Sequence, residues 1–258
     1  MFPPSSGIFY IATGPKHSSE AVKNARLTKL YNPDISVSIC TDQDIGEFST
    51  TFDHIISHPE PRFSYRDKLS ALSLSPYSYT IFLDSDAFCC YSLDDFFTSL
   101  SFFNLAAVPA PVRHPPGYSD QSVPLVFTEL NTGVLYYSND NFIDNLFLDW
   151  ISLYDEWKML YDQDWDQASF RSVLWQRINH PSLRYLSLPT EYNLRTTKPW
   201  IAGRGLPVYF IHGRFDDAEL DDFIYYLNHD IDRFRTYSLW LNQNPSSTIK
   251  PRFDRTFS

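Results

Sequence analysis

The sequence predicts an α/β fold with a mostly parallel central sheet flanked by helices, and three observations carry that reading. Gly7 to Gly14, a helical stretch and Ile35 to Cys40 follow one another as strand, helix, strand, which opens a βαβ unit. Tyr79-Thr80-Ile81-Phe82-Leu83 is an apolar strand that runs straight into Asp84-Ser85-Asp86. At 43% hydrophobic and 17% aromatic residues, the 258-residue chain has ample material for a core.

The elements follow in order. Ile8 to Ala12 is a buried first strand closed by Gly14. Ser18 or Ser19 is expected to cap the first helix, with Ala21, Ala25, Leu27 and Leu30 on its apolar face. A third strand is expected at Asp53 to Ile56, and a helix carrying Arg66 and Lys68 over Ser64 to Ser73. After Tyr79 to Leu83, a short helix spans Leu93 to Leu100, and a Pro-rich stretch with Arg113, His114 and Gly117 reads as an ordered loop over a site. Leu130 to Tyr137 combines a turn with a strand. The strongest helical spacing follows, with Ile143, Leu146, Phe147, Trp150, Tyr154, Trp157 and Tyr161 on one packing face. A second helix is expected from Asp164, which has capping-box spacing to Gln167, as far as Trp175. Pro207 to His212 is a late strand, and Ala218 to about Leu241 a closing helix. One domain over residues 1–242 and a polar tail over 243–258 is the expected organisation.

Composition limits function. A net charge of −10 argues against a duplex nucleic-acid binder, which needs a basic face for phosphates. Only 8 glycines occur, against roughly 18 at average usage. Neither GxxxxGK[ST] nor GxGxxG is present, so no glycine-rich loop is available to cradle phosphate. Cys40, Cys89 and Cys90 form no even framework and no CxxC, which fits a reducing compartment. The amino terminus lacks a basic region and a long apolar core, and no run reaches the ~20 apolar residues of a membrane span. A cytoplasmic protein is expected.

Two acids one residue apart beyond a buried strand repel each other unless a cation lies between them. A hard divalent ion does this while keeping positions open for substrate phosphates. Ligands in open α/β sheets gather at the carboxyl ends of strands, where Asp84 and Asp86 fall. The apolar residues on both sides set this pair apart from a solvated turn.

The run Arg66-Asp67-Lys68-Leu69, Ser75-Pro76-Tyr77, Thr80 to Asp86 and Leu93-Asp94-Asp95-Phe96-Phe97 resembles the central block of GT-A nucleotide-diphospho-sugar glycosyltransferases, in their family 8-like branch. Asn131-Thr132-Gly133-Val134, Asp166-Gln167, Leu188 to Asn193 and Ile211-His212-Gly213 resemble that branch's later segments in the same order. The resemblance implies a GT-A fold and a divalent metal, Mn²⁺ or Mg²⁺, on Asp84, Asp86 and His212, bridging the diphosphate of a sugar nucleotide. It favours a UDP-sugar donor, a glycan or lipid-linked acceptor, and retention of configuration over inversion. Thr13 and Asp42 are expected near the nucleoside, Ser85 beside the donor, and Lys68 near the donor phosphate or sugar. Asn131, Asp166 and Gln167 are expected to line the donor-sugar and acceptor pocket. The chain departs from the pattern after His212, where Gly213-Arg214 replaces a His-x-x-Gly-x-x-Lys continuation.

Each residue also has a plainer reading. Asp166 suits either a carboxylate base or an acid favoured by a helix dipole. Asn131-Thr132-Gly133 suits a turn, His212 a core histidine, and Lys68 an exposed helix charge. Two other functions compete with sugar transfer: a noncatalytic nucleotide-sugar or glycan-binding protein of the same fold, and a DxD phosphatase of the haloacid-dehalogenase type.

Overall fold

The first strand, β1 (Ser6–Ile11), is buried along its whole length and sits inside the main sheet between two parallel neighbours. In this computed structural model the described residues are 5–44, 46, 50–94, 96–111, 117–196, 198, 201–203, 205–215 and 217–229. β1 pairs with β2 (Ser36–Thr41) and with β4 (Tyr79–Leu83), and β2 pairs with β3 (His54–Ser57), all parallel. Beyond β4 the direction reverses. β7 (Leu130–Ser138) is antiparallel to both β4 and β6 (Leu105–Pro109), and β8 (Tyr185–Ser187) closes the sheet parallel to β6. The order β3-β2-β1-β4-β7-β6-β8 is the mostly parallel sheet expected from the sequence.

A second, three-stranded sheet was not legible. It joins β5 (Ala87–Cys89), β10 (Phe210–His212) and β9 (Leu194–Arg195). β10 lies at the end of the late strand expected over Pro207 to His212, whereas β5 and β9, of three and two residues, carry too little alternation to be recognised in sequence. Their pairing brings His212 opposite Ala87, directly after the acidic pair.

The helices depart from expectation mainly at their starts. α1 (Pro15–Tyr31) begins at Pro15, where a missing amide costs nothing in a first turn, rather than at Ser18 or Ser19. The Ser18 hydroxyl instead bonds the Ala12 carbonyl at 3.1 Å and Thr41 Oγ1 at 2.8 Å. Ala21 and Ala25 are buried as expected, whereas Leu30 is exposed. α2 (Tyr65–Ala71) passes into a 3-10 turn over Leu72–Leu74, and α3 (Phe96–Leu100) is shorter than expected. α4 (Asn141–Tyr161) is capped by Asp140, whose Oδ1 accepts from the amides of Phe142 and Ile143 at 2.9 and 3.0 Å. Its predicted face is buried from Ile143 to Trp157, but Tyr161 is half exposed and stacks on Tyr118 at 3.9 Å. α5 (Asp166–Arg177) starts two residues later than expected, because Lys158 takes the Asp164 carboxylate at 2.8 Å and the capping box does not form. α6 (Asp217–His229) follows β10. The rest of the predicted closing helix, the 243–258 tail, Arg113 and His114 lie outside the described residues.

The two faces of the main sheet bury separate cores. Ile8 and Tyr10 pack toward Ala21, Val22 and Ala25 of α1. Phe9, Phe82 and Leu135 pack toward Phe147, Trp150 and Phe170 of α4 and α5. Trp150 is fully buried, and its indole N–H bonds the Asp166 carbonyl at 3.0 Å and Ser169 Oγ at 3.1 Å. The core of α4 thereby fixes the first turn of α5. All three cysteines are free and buried, and among the described residues no helix is long and apolar enough to cross a membrane.

Candidate active site

The carboxyl ends of β1 and β4, the start of α5 and the end of β10 open onto one cleft of about 620 Å³. The turn after β4 places Asp84 and Asp86 there, closed by the Ala87 amide on the Asp84 carbonyl at 2.9 Å and by the Asp84 amide on the Gly133 carbonyl at 2.8 Å. His212 Nε2 lies 3.2 Å from Asp86 Oδ1 and 3.9 Å from Asp84 Oδ2. These three side chains offer ligand atoms that all lie within 4.8 Å of one another.

The histidine is oriented from behind. Its Nδ1 lies 3.1 Å from Asn193 Oδ1, an atom that only accepts, so Nδ1 carries a hydrogen and Nε2 is the ring atom turned toward the carboxylates. Asn193 in turn donates to Asn131 Oδ1 at 2.9 Å, and Asn131 Oδ1 also accepts the Gly133 amide at 3.0 Å. Two carboxylates and an imidazole held from behind form a donor set suited to a hard divalent cation. Asn131, Thr132 and Gly133 thus lie within β7 rather than in a turn, opposite a register shift at Ala107/Val108.

Lys68 corrects the reading of an exposed helix charge, since it is buried. Its Nζ lies 2.6 Å from Asp166 Oδ2, 3.1 Å from Thr132 Oγ1 and 3.7 Å from Asp84 Oδ1. Burial disfavours its charge, but the Asp166 and Asp84 carboxylates outweigh that and hold the ammonium above its ordinary pKa. Asp84 is pushed above the usual carboxylate range by burial, only partly offset by Lys68 and His212. Asp86 is partly buried, which raises it, but its bond to His212 and the fields of Arg195 and Arg214 hold it well below that range. The Asp166 carboxylate also accepts from Thr132 Oγ1 at 2.8 Å. Gln167, in the orientation that satisfies its neighbours, donates to the Leu130 carbonyl at 2.9 Å and accepts from Trp165 Nε1 at 3.0 Å.

The remaining expected residues divide. Thr13 lines the cleft and donates to Asp67 Oδ2 at 2.7 Å. Ser85 lines it and donates to Glu20 Oε2 at 2.9 Å. Asp42 is not part of the wall; it accepts the Gly14 amide at 2.7 Å and so positions the turn between β1 and α1. The walls carry four carboxylates, Asp67, Asp84, Asp86 and Asp166, and four permanent cations, Lys16, Lys68, Arg195 and Arg214. These formal charges cancel, so a divalent ion bound here would leave the cleft at about +2, suited to a doubly charged anion.

Sequence reasoning passed over three residues. Asn193 was quoted only within a segment, yet it sets the His212 tautomer. Asp67 organises the loop before α2. Glu129, 3% exposed, is pushed up to about 7 by burial, with Arg171 and Trp165 opposing and Asp166 adding to the rise. Its position as an acid between Phe127 and Leu130 is the same signal that singled out Asp84.

Fold and site together define the GT-A class of α/β structure, and the comparisons with solved structures agree. The glycosyltransferase GlyE of Streptococcus pneumoniae superimposes with a TM-score of 0.59 at 16% identity, over 98% of this chain and 66% of that one. The galactosyltransferase LgtC, solved in complex with donor and acceptor sugar analogues, gives a TM-score of 0.56 at 15% identity, over 95% of this chain and 98% of that one. The bifunctional glycosyltransferase WbbM gives 0.53 at 14%, over 92% of this chain and 52% of that one. The chain therefore spans slightly less than two thirds of GlyE, about half of WbbM and nearly all of LgtC. No family model matches the sequence, and no curated protein matches it. This chain has the GT-A glycosyltransferase fold, which sets aside the haloacid-dehalogenase alternative.

Proposed function

We propose that this chain is a metal-dependent glycosyltransferase that moves a sugar from a nucleotide-diphosphate donor to a hydroxyl acceptor. The observation that carries the reading is the cluster of Asp84, Asp86 and His212 beside the buried Lys68–Asp166 pair, at the carboxyl ends of the strands of a GT-A sheet. Asp84, Asp86 and His212 would hold Mn²⁺ or Mg²⁺, which when bound neutralises charge on a leaving diphosphate. Lys68 holds a positive charge in the same wall, and Asp166 fixes that ammonium in place. Because Asp166 Oδ2 is already shared by Lys68 and Thr132, it is poorly placed to take an acceptor proton, which supports retention over inversion. Asn131 and Gln167 present side-chain amides to the donor sugar, both held by the backbone around β7. A UDP-sugar donor and a glycan or lipid-linked acceptor are the favoured substrates; LgtC, which shares the fold, was solved with donor and acceptor sugar analogues.

The test is a thermal-shift panel of UDP, GDP and their sugars, with and without Mn²⁺, on the wild type and on Asp86→Ala, followed by donor hydrolysis and transfer assays. Metal-dependent stabilisation that Asp86→Ala abolishes is expected. Absence of any such stabilisation in the wild type overturns the reading. Binding with neither hydrolysis nor transfer across acceptors would leave a nucleotide-sugar-binding protein instead.

A further inference from the structure

Phe63 breaks two rules at once. It is 67% exposed, and its φ of 56° lies in the left-handed region that bulky residues avoid. Such a conformation persists only where the surroundings over-determine it, and here one buried carboxylate does so. Asp67, 3% exposed, accepts the Phe63 amide at 2.7 Å and the Thr13 hydroxyl at 2.7 Å on Oδ2, and the Arg62 amide at 2.8 Å on Oδ1. A single anion thus ties the loop before α2 to the end of β1 and holds an apolar ring at the wall of the cleft.

The ring faces an equally unusual partner. Gly14 has φ 79°, and a Cβ built there would stand 3.5 Å from Phe63 Cδ1. Tyr65 and Trp165, the other aromatic residues in the wall, pack edge to face on each other at 6.0 Å. Among the described residues no ring stacks on Phe63, so its face is available to a ligand.

We propose that Phe63 is the platform on which the planar base of the donor nucleotide stacks, an inference that rests on the donor reading above. The ligand's polar parts have polar walls to meet: the diphosphate has the Asp84, Asp86 and His212 cluster with its flanking cations, and the sugar has Asn131, Asp166 and Gln167. The nucleobase is the flat, largely apolar part of such a ligand. Phe63 brings no hydrogen-bonding group, so it supplies affinity for a base without choosing among bases.

The experiment is calorimetric titration of the full chain, in the presence of Mn²⁺, with UDP, with GDP and with inorganic pyrophosphate as a probe that has no base. Phe63→Ala is expected to weaken whichever nucleoside diphosphate binds by on the order of 10-fold and to leave pyrophosphate unchanged, while Phe63→Tyr keeps wild-type affinity. Phe63→Trp gives an independent readout: its added fluorescence is quenched by the nucleotide and not by pyrophosphate. Equal affinity of Phe63→Ala and wild type for the nucleotide, or equal loss for nucleotide and pyrophosphate, overturns the stacking role alone. Wild type that binds neither nucleoside diphosphate in a metal-dependent way overturns the transferase reading, and this one with it.

Discussion

A Cβ on Gly133 would stand 2.1 Å from Cε1 of His212 and 2.8 Å from Oδ2 of Asp84. The residue between the two halves of the cluster therefore has to lack a side chain, for reasons of space rather than of backbone conformation. Gly133→Ala is expected to fold, since β7 is an ordinary strand there, but to displace His212 and weaken Mn²⁺ binding by at least 10-fold. Calorimetric Mn²⁺ titration, with far-UV circular dichroism as the fold control, checks this; unchanged affinity would contradict the contact.

The tautomer of His212 depends on one amide. Replacing Asn193 by Leu removes the acceptor for Nδ1–H and frees the ring to turn or exchange tautomers. Loss of such a supporting bond weakens metal affinity by about 10–100-fold. The same titration on Asn193→Leu measures it, and a loss under threefold would show that the ring is held by packing alone.

Arg214 competes with a metal and assists a phosphate. Its Nε lies 4.0 Å from Asp86 Oδ2 and its side chain is mostly exposed, so each effect is modest. Arg214→Gln is expected to raise Mn²⁺ affinity about twofold to threefold without nucleotide, and to lower the affinity for nucleoside diphosphate by a similar factor. Opposite signs in the two titrations are the signature. Movement in the same direction would mean that the substitution disturbs the site as a whole.

Glu129 makes stability depend on pH. Because its folded pKa is raised to about 7 from an ordinary 4.5, the unfolded chain releases this proton first, and the folded state loses stability as pH rises from about 4.5 to 7. Above pH 7 the cost is constant, at about 3 kcal/mol. Glu129→Gln is therefore expected to raise Tm by roughly 5–10 °C at pH 8 and by almost nothing at pH 4.5. Thermal melts at both values test this, and an equal gain at both would assign the effect to something other than ionisation.

Much of this was present in the linear chain. Long apolar runs such as Ile8 to Ala12 and Tyr79 to Leu83, and the face of α4 from Ile143 to Trp157, announce themselves because burial repeats over many residues. Asp84 and Asp86 were legible because charge inside an apolar run is costly unless it is used. Helix starts were misread where a tertiary partner claimed the capping group, as Lys158 claims Asp164. The strand that carries His212 was expected within Pro207 to His212, but the strand that carries Arg195 is too short to show a period, and the pairing of β10 with β5 joins residues more than a hundred positions apart.

By itself the sequence determined the α/β class, the position of the acidic pair at the end of a buried strand, and the absence of a glycine-rich phosphate loop. The tertiary structure decided which way each chemical group faces. It turned Lys68 inward onto Asp166, spent Asp42 on the Gly14 amide, set the His212 proton through Asn193, and raised Phe63 to the edge of the cleft through Asp67. The division has a physical cause. Secondary structure follows from patterns of burial written along a few neighbouring residues, whereas the charge state and direction of a side chain depend on partners that only folding brings within hydrogen-bonding distance.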